Sequence, residues 1–553
     1  MFAELVLAVR TFSGATISSG FEIDAVPFAG AYWDVSTRIY VTLICPTYIL
    51  QQPSDDWFRL CPQTAYLQFQ RKLLLFIAGE YLDTDPGVDD TIAILLALAS
   101  PEIEIVGYVV SFGNTDLPAA YANIFKMYQA VSRHKKRHPE SFPNFDQARK
   151  PFLAKGALGP LSGELHSAHD GLGDLTQKHP DLNVPRSVLE SPSHPQLQLT
   201  DRPGHEVALE ALQKYDPREI TYVILGPMTN LAQMVRADVH CVRERIGRVV
   251  IMGGALDVPG NTSPSAEFNF FADPYAVAEL LAPPPAPGTS TPHPGIPLSR
   301  VLLLPLDITT VHELPFPLYA SRVDPTFDPA RPSVAEGKEP IKHFTSAFLQ
   351  RTREIMRGFG KDAMELHDVA AMWCAILNPP VKDASDETDD LGLAPGWTVE
   401  RRKFAMERTG EVTRGMCVVD RRDDKGAYAP GANRAAVQAA LERQQLKHGP
   451  FESIALPAQV VVEEQSQTKQ TKGEGVPTIK ATPGSDVLVD MILKRLWNPA
   501  LLAALACRSC PFSTTCLAVE QTDITSPVHT SLSVQLLSRN FSVHSFLNYS
   551  ALD

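Results

Sequence analysis

Four aspartates fall within eight residues in the run Asp83-Thr84-Asp85-Pro86-Gly87-Val88-Asp89-Asp90. Carboxylates a few ångströms apart raise one another's pKa unless a cation keeps them ionised. Such oxygen donors suit a hard divalent ion. The flanking residues predict how the acids are held. The apolar stretch 73–77 with Leu82 reads as a strand, Pro86-Gly87 as a turn and 91–99 as a helix. That places the acids at the carboxyl end of a strand, the ligand-binding edge of open α/β sheets. Asp89 and Asp90 fall in the first helical turn, where the macrodipole favours negative charge. The dipole accounts for one or two acids but not for four.

Several chemistries compete for this run. An EF-hand counted from Asp83 needs Gly at its sixth position and Glu at its twelfth, and the chain has Val88 and Ile94 there, so that reading fails. A metal-dependent phosphatase of the haloacid-dehalogenase type also starts Asp-x-Asp after a strand and would make Asp83 a nucleophile. It leaves Pro86 to Asp90 unused, and no later Gly-Asp-x-x-x-Asp element follows. Acids that merely solvate a turn are the plainest alternative.

The elements around the run predict its frame. From 73 to 379, aliphatic strands at 103–110, 220–225, 249–252 and 301–306 alternate with amphipathic helices. This is the pattern of an open, mostly parallel α/β sheet with helices on both faces. Two Pro-rich stretches, near 185–203 and 283–298, read as surface insertions, and an acidic, Gly-containing stretch near 380–400 reads as a linker. Strand character returns at 402–406 and 410–420, and 487–497 reads as a helix. Residues 1–71 show no sustained period. The tail, 498–553, carries Cys507, Cys510 and Cys516, a pattern with His529 too irregular for a firm zinc site.

Further polar stations follow the acids in order. Ser111-Phe112-Gly113-Asn114 closes the strand at 103–110. Leu225 precedes Gly226-Pro227-Met228-Thr229-Asn230. Met252-Gly253-Gly254 ends another strand, and Asn261, Glu267 and Asn269 lie in the segment after it, offering the donors and acceptors that sugar hydroxyls need. His367-Asp368 opens an apolar helix at 369–377.

With these stations, the signature Asp83-Thr84-Asp85-Pro86-Gly87-Val88-Asp89-Asp90 closely resembles that of the inosine-uridine preferring nucleoside hydrolases, in a fungal-like form. The resemblance covers roughly 73–497, including strand-like segments at 400–404 and 409–422. It implies a Rossmann-like nucleoside hydrolase fold over 72–497 and hydrolysis of ribonucleosides to free base and ribose. It implies a calcium ion held by Asp85, Asp90, the Leu225 carbonyl and Asp368, with Asp85 as general base and His367 as acid toward the base. Asp89, Asn114, Met252, Asn261, Glu267 and Asn269 would contact the ribose. His rather than Trp before the last metal Asp favours the broad inosine-uridine type over a purine-specific branch. Homo-oligomers, dimers or tetramers, are also implied. A homologue that binds nucleosides without cleaving them would carry the same metal and ribose residues.

Two stretches depart from the family pattern. Ala78-Gly79-Glu80-Tyr81 interrupts the aliphatic strand expected before the first Asp. A His-Gly-x-Asp-Gly-Leu-Gly loop appears only as His166-Ser167-Ala168-His169-Asp170-Gly171-Leu172-Gly173.

Composition narrows the setting. A net charge of −13 over 553 residues disfavours nucleic acid or an anionic membrane as partner. No run reaches the roughly 18 apolar residues of a membrane span. The amino terminus lacks a secretory pattern, and eight scattered cysteines do not form a disulfide framework, so a reducing cytoplasm is the expected compartment.

Overall fold

The computed structural model describes residues 78–163, 170–281, 296–381, 386, 391–421 and 475–497, all within the unit Gln63–Asp553. The amino-terminal extension, the Pro-rich stretch at 282–295 and the tail with its three cysteines lie outside the described residues.

Thirteen strands are described. They are β1 Ala78–Thr84, β2 Ile103–Val110, β3 Phe152–Lys155, β4 Gln198–Leu199, β5 Ile220–Ile224, β6 Ile246–Met252, β7 Val301–Leu304, β8 Glu313–Pro315, β9 Ala363–Glu365, β10 Thr398–Arg402, β11 Ala405–Met406, β12 Cys417–Val418 and β13 Val476–Ala481. Nine form one sheet in the order β10-β13-β7-β6-β5-β1-β2-β3-β4. Every neighbouring pair is parallel except β10 with β13. The open, mostly parallel α/β sheet expected from the alternating pattern is therefore present. Its central strands are buried on both faces, which is why they read as continuous apolar runs rather than alternating ones.

The topology selects one place for a ligand. From β1 the chain first builds outward through β2, β3 and β4, then returns to lay β5 on the other flank of β1. Adjacent chain excursions diverge there and leave a crevice at the carboxyl ends of β1, β2 and β5. The helix Val88–Leu98 leaves β1 directly into this crevice. The helix His367–Leu377 packs along it, with its own first turn beside the same strand ends. Both helices are almost wholly apolar and buried, because each is sandwiched between the sheet and the other elements of the main core.

Four expectations change. The strand leading into the acids is 78–84, so Ala78-Gly79-Glu80-Tyr81 is strand rather than interruption, and 73–77 lie outside the described residues. The mismatch is absorbed by a register shift between Glu80 and Tyr81 against β2. The stretch 185–203 is not wholly an insertion, because Gln198–Leu199 pairs in parallel with β3 as the sheet edge. The 380–400 stretch is not a free linker. Asp386 takes a two-pronged ion pair from Arg300, Nε–Oδ1 2.8 Å and Nη2–Oδ2 2.8 Å, and Leu391, Ala394 and Trp397 are buried. A further strand, β13, escaped the sequence reading and inserts between β7 and β10. Among the described residues no helix is long and apolar enough to cross a membrane.

Glu80 is the anomaly of the core. Its side chain is fully buried and neither carboxylate oxygen has a hydrogen-bond partner among the described residues. Burial, reinforced by Glu102, pushes its pKa up to about 8. Because the folded value lies above the unfolded one, stability is retained at acidic pH and lost as pH rises through 8. Glu80→Leu is therefore expected to melt higher than the wild type at pH 8.5, by a difference on the order of a few kcal/mol that shrinks towards pH 5. Thermal melts at both pH values check this; a constant difference would show that ionisation of Glu80 is not its cause.

Candidate active site

The acid run splits in the folded chain. Asp83, the last inward residue of β1 before the turn, points into the protein and not into the crevice. Its Oδ2 accepts from the Tyr222 hydroxyl at 3.1 Å and its Oδ1 from the Asn230 amide at 2.7 Å. Burial, partly offset by these two donors, raises its pKa to about 7. A carboxylate locked in this way has no face for a phosphoryl group, which removes the phosphatase reading. Asn230 does double duty, since its Oδ1 also accepts from the Ala157 amide at 2.8 Å. It thereby joins the ends of β1, β3 and β5.

The other three acids of the run meet Asp368. One carboxylate oxygen from each of Asp89, Asp90 and Asp368 lies within 4.8 Å of the others. Asp90 is fixed by Thr84 Oγ1 at 2.6 Å, the Gly87 amide at 3.1 Å and the Asn114 side-chain amide at 2.9 Å. The Gly87 contact closes the first turn of the helix Val88–Leu98. Asp85 stands beside this trio. Its Oδ2 accepts from the Asn114 backbone amide at 2.5 Å, while its Oδ1 is buried with no partner among the described residues.

Two glycines make room for Asp85. A Cβ at Gly113, whose φ is +152°, would lie 2.0 Å from Asp85 Oδ2, and one at Gly226 would lie 2.3 Å from Oδ1. No side chain fits on either flank. This gives the Gly113-Asn114 and Gly226 motifs their physical reason.

Electrostatics sharpen the picture. Burial first, then Asp90 and further carboxylates, drive Asp85 well above its ordinary value. Burial and Asp90 raise Asp89, and burial with Asp89, Asp90 and Asp85 raises Asp368 well above the usual range. An orphaned carboxylate oxygen among converging buried acids is the arrangement a hard cation relieves, so the donor set fits a divalent ion of the calcium class.

His367 is half-buried next to Asp368, with Nδ1 2.8 Å from Thr309 Oγ1 and Nε2 3.2 Å from Glu365 Oε2. Burial alone would lower its pKa, but the Glu365 bond and the charges of Asp89, Glu365 and Glu267 outweigh it and raise the value. Glu365 is in turn held at about 2, chiefly by His367 and with help from Lys361. The antiparallel pair β8–β9 carries Glu365 to this position.

The remaining predicted residues divide. Asn269 Nδ2 donates to the Leu225 carbonyl at 2.7 Å and to the Met252 carbonyl at 3.2 Å, which links three expected site residues. Glu267 caps the helix Phe268–Ala272 and takes the Gly254, Asn269 and Phe270 amides at 2.8, 2.7 and 3.0 Å. Asn261 is exposed, and its side-chain oxygen accepts from the Phe268 amide at 3.0 Å. Both therefore shape the loop before Phe268–Ala272 as well as offering polar atoms.

Sequence reasoning missed Asn123, Glu365 and Thr309. Asn123 Nδ2 bridges the Pro86 carbonyl at 2.9 Å and the Asp170 carbonyl at 3.0 Å, pinning the described part of the altered 166–173 loop onto the acid turn. Residues 166–169 lie outside the described residues. A lone Asn inside an amphipathic helix gives no signal in sequence. Glu365 and Thr309 become partners only through folding.

The profile of inosine-uridine preferring nucleoside hydrolases matches residues 81–447. The pyrimidine-specific ribonucleoside hydrolase RihA of Klebsiella pneumoniae is 30% identical over 61% of this chain and 87% of its own length. The probable uridine nucleosidase 2 of Arabidopsis thaliana is 34% identical over 35% of this chain and 53% of its length. A plant nucleoside hydrolase of solved structure aligns with a TM-score of 0.47 and 20% identity, over 76% of this chain and 99% of that one.

If the cluster is a cation site, a hard divalent ion in hundredfold excess over its Kd stabilises the fold by about 2.7 kcal/mol. Melting in Ca2+, Mg2+ and Mn2+ against chelator should show a rise of a few degrees for at least one ion, largely lost in Asp90→Asn. A wild type indifferent to all three ions would rule the site out.

Proposed function

We propose, from the premise that this chain belongs to the inosine-uridine preferring nucleoside hydrolase family, that it hydrolyses inosine and uridine in a calcium-dependent reaction at the Asp85–Asp368 cluster. The chain is a ribonucleoside N-glycosidase by family. The observation that carries the finer reading is the convergence of Asp89, Asp90 and Asp368 beside the unpartnered Asp85 Oδ1. We assign the catalytic domain to 72–497, since β13 at 476–481 is part of the sheet; 1–71 and 498–553 stand outside it.

Cleavage of an N-glycosidic bond builds positive charge on the ribosyl ring and negative charge on the departing base. Asp85, Asp90, Asp368 and the Leu225 carbonyl would hold the calcium ion. When bound, it supplies a fixed positive charge that attracts hydroxyl oxygens and modestly acidifies water. Asn269 keeps the Leu225 carbonyl oriented, as its 2.7 Å bond indicates. Asp85, one of whose oxygens no protein group bonds among the described residues, is the residue assigned to take the proton of the attacking water.

Asp89, partly accessible at the helix start, is assigned to the ribose hydroxyls together with Asn114, Met252 and Asn269, while Glu267 and Asn261 order the loop before Phe268–Ala272. The surrounding carboxylates stabilise charge on the ribosyl ring. His367 is assigned as acid toward the leaving base. Glu365 supports its protonated form, and the bond between them must loosen for Nε2 to reach a base.

Both uridine and inosine are assigned as substrates. The names of the Klebsiella and Arabidopsis relatives support the pyrimidine half, and His367 as a small proton donor beside the cluster supports the purine half. A reducing compartment such as the cytoplasm suits Cys241, Cys374 and Cys417, which are buried and unpaired.

The test is His367→Ala assayed with both nucleosides. General acid catalysis is worth about 10² to 10⁴ in rate, so kcat for inosine should fall by that order while KM changes little. An unchanged kcat for inosine would remove His367 from the chemistry.

A further inference from the structure

A second cluster of metal-binding side chains lies away from the strand ends, where two helix termini meet. His134 occupies the last turn of the helix Leu117–Lys135, His138 follows it by four residues, and Glu339 caps the helix Pro340–Gly358. One ligand atom from each of the three lies within 4.8 Å of the others. His138 Nε2 is 3.0 Å from Glu339 Oε2, and His134 Nδ1 is 4.0 Å from the same oxygen. The two imidazole rings are 4.7 Å apart between centroids.

The informative member is His134. It is 3% exposed, yet neither ring nitrogen has a hydrogen-bond partner among the described residues. A buried imidazole normally satisfies at least one nitrogen. Here Nδ1 lies just beyond hydrogen-bond reach of Glu339, and Phe142 meets the ring edge-on at 5.8 Å between centroids. Burial, then the neighbouring His138, holds its pKa down at about 4, so the ring is neutral at pH 7, the form that binds metals. Arg137 competes for Glu339 at 3.6 Å from an exposed position.

We propose that His134, His138 and Glu339 form a binding site for a borderline divalent transition metal of the zinc class, which joins the end of one helix to the start of the other. Two imidazoles and one carboxylate are a donor set that such ions favour over calcium or magnesium. Tetrahedral ligation at zinc bond lengths of about 2.0–2.1 Å places ligand atoms about 3.3 Å apart. The observed spacing therefore needs only modest side-chain rotation, and the partly exposed His138 and Glu339 can supply it. A water would complete the four-coordinate set. The site is structural in kind. It binds on other residues than the acidic cluster and would persist if that cluster proved inactive.

The measurement is zinc titration by calorimetry on the full chain, in excess calcium to occupy the acidic cluster. A background of Cys507→Ser, Cys510→Ser and Cys516→Ser removes the tail thiols. One equivalent of zinc should bind and raise the melting temperature. His138→Ala and Glu339→Gln, whose side chains are partly exposed, should each weaken that equivalent at least tenfold, while His240→Ala should leave it unchanged. Melting in zinc-free buffer checks that the variants fold. A second histidine group, His179, Asp181 and His343, has its His343 ring already bonded to Ser333 and Asp181. Zinc lost in Asp181→Asn and retained in His138→Ala would move the site there and overturn the proposal. So would wild-type affinity in both cluster variants, or no zinc uptake at all.

Discussion

Repulsion among buried carboxylates is the constraint around which this molecule is arranged. Asp89, Asp90 and Asp368 place oxygens within 4.8 Å of one another, and at an effective dielectric near 20 each ionised pair at that distance costs on the order of 3 kcal/mol or more. Two helix amino termini aim at the cluster, but each contributes only about 0.3–1 kcal/mol. They lessen the repulsion without cancelling it. Protons or a cation must supply the remainder, and the raised pKa values of Asp85, Asp89 and Asp368 show how strongly the bare cluster would hold protons. The glycines flanking Asp85 and the amides that fix Asp90 and Asp85 keep the oxygens convergent rather than splayed.

The sheet exists around that point. β1 is flanked by the two halves of the fold, and its last residues deliver Asp83 inward and Asp85 outward. Asp83 does not join the crevice. Through Tyr222 and Asn230 it binds the ends of β1, β3 and β5 into one rigid floor. Thr229 extends the network by donating to Asp273 at 2.6 Å, and Asp273 also receives the Leu161 amide at 2.8 Å. An aspartate that looks catalytic in the linear motif thus acts as the foundation for the one two residues later.

Much of this could be read from the sequence, for a physical reason. Parallel strands buried on both faces, such as Val301–Leu304, are continuous apolar runs, and the acid turn combines local turn chemistry with repelling charges. What escaped depends on distant partners. Asn123 and Thr309 gain meaning from residues 37 and 58 positions away, while Glu365, two residues before His367, meets its ring only because the chain passes from β9 straight into the helix there. Gln198–Leu199 is too short to show a period. Glu80 misled the reading of the first strand because a charged residue with no partner argues against a central strand, yet the chain buries it there. The His134–Glu339 cluster spans more than 200 residues of sequence, and nothing local announces it.

The central claim is that the acids at the end of β1 serve a cation and that this cation serves ribonucleoside cleavage. Free ribose released from inosine and uridine by the full chain, measured in millimolar calcium and again after chelation, tests both parts together. The expected result is steady release of ribose in calcium, abolished by the chelator and restored when calcium is returned. Release that persists undiminished in chelator, or a folded protein that frees no ribose under any condition, would contradict it.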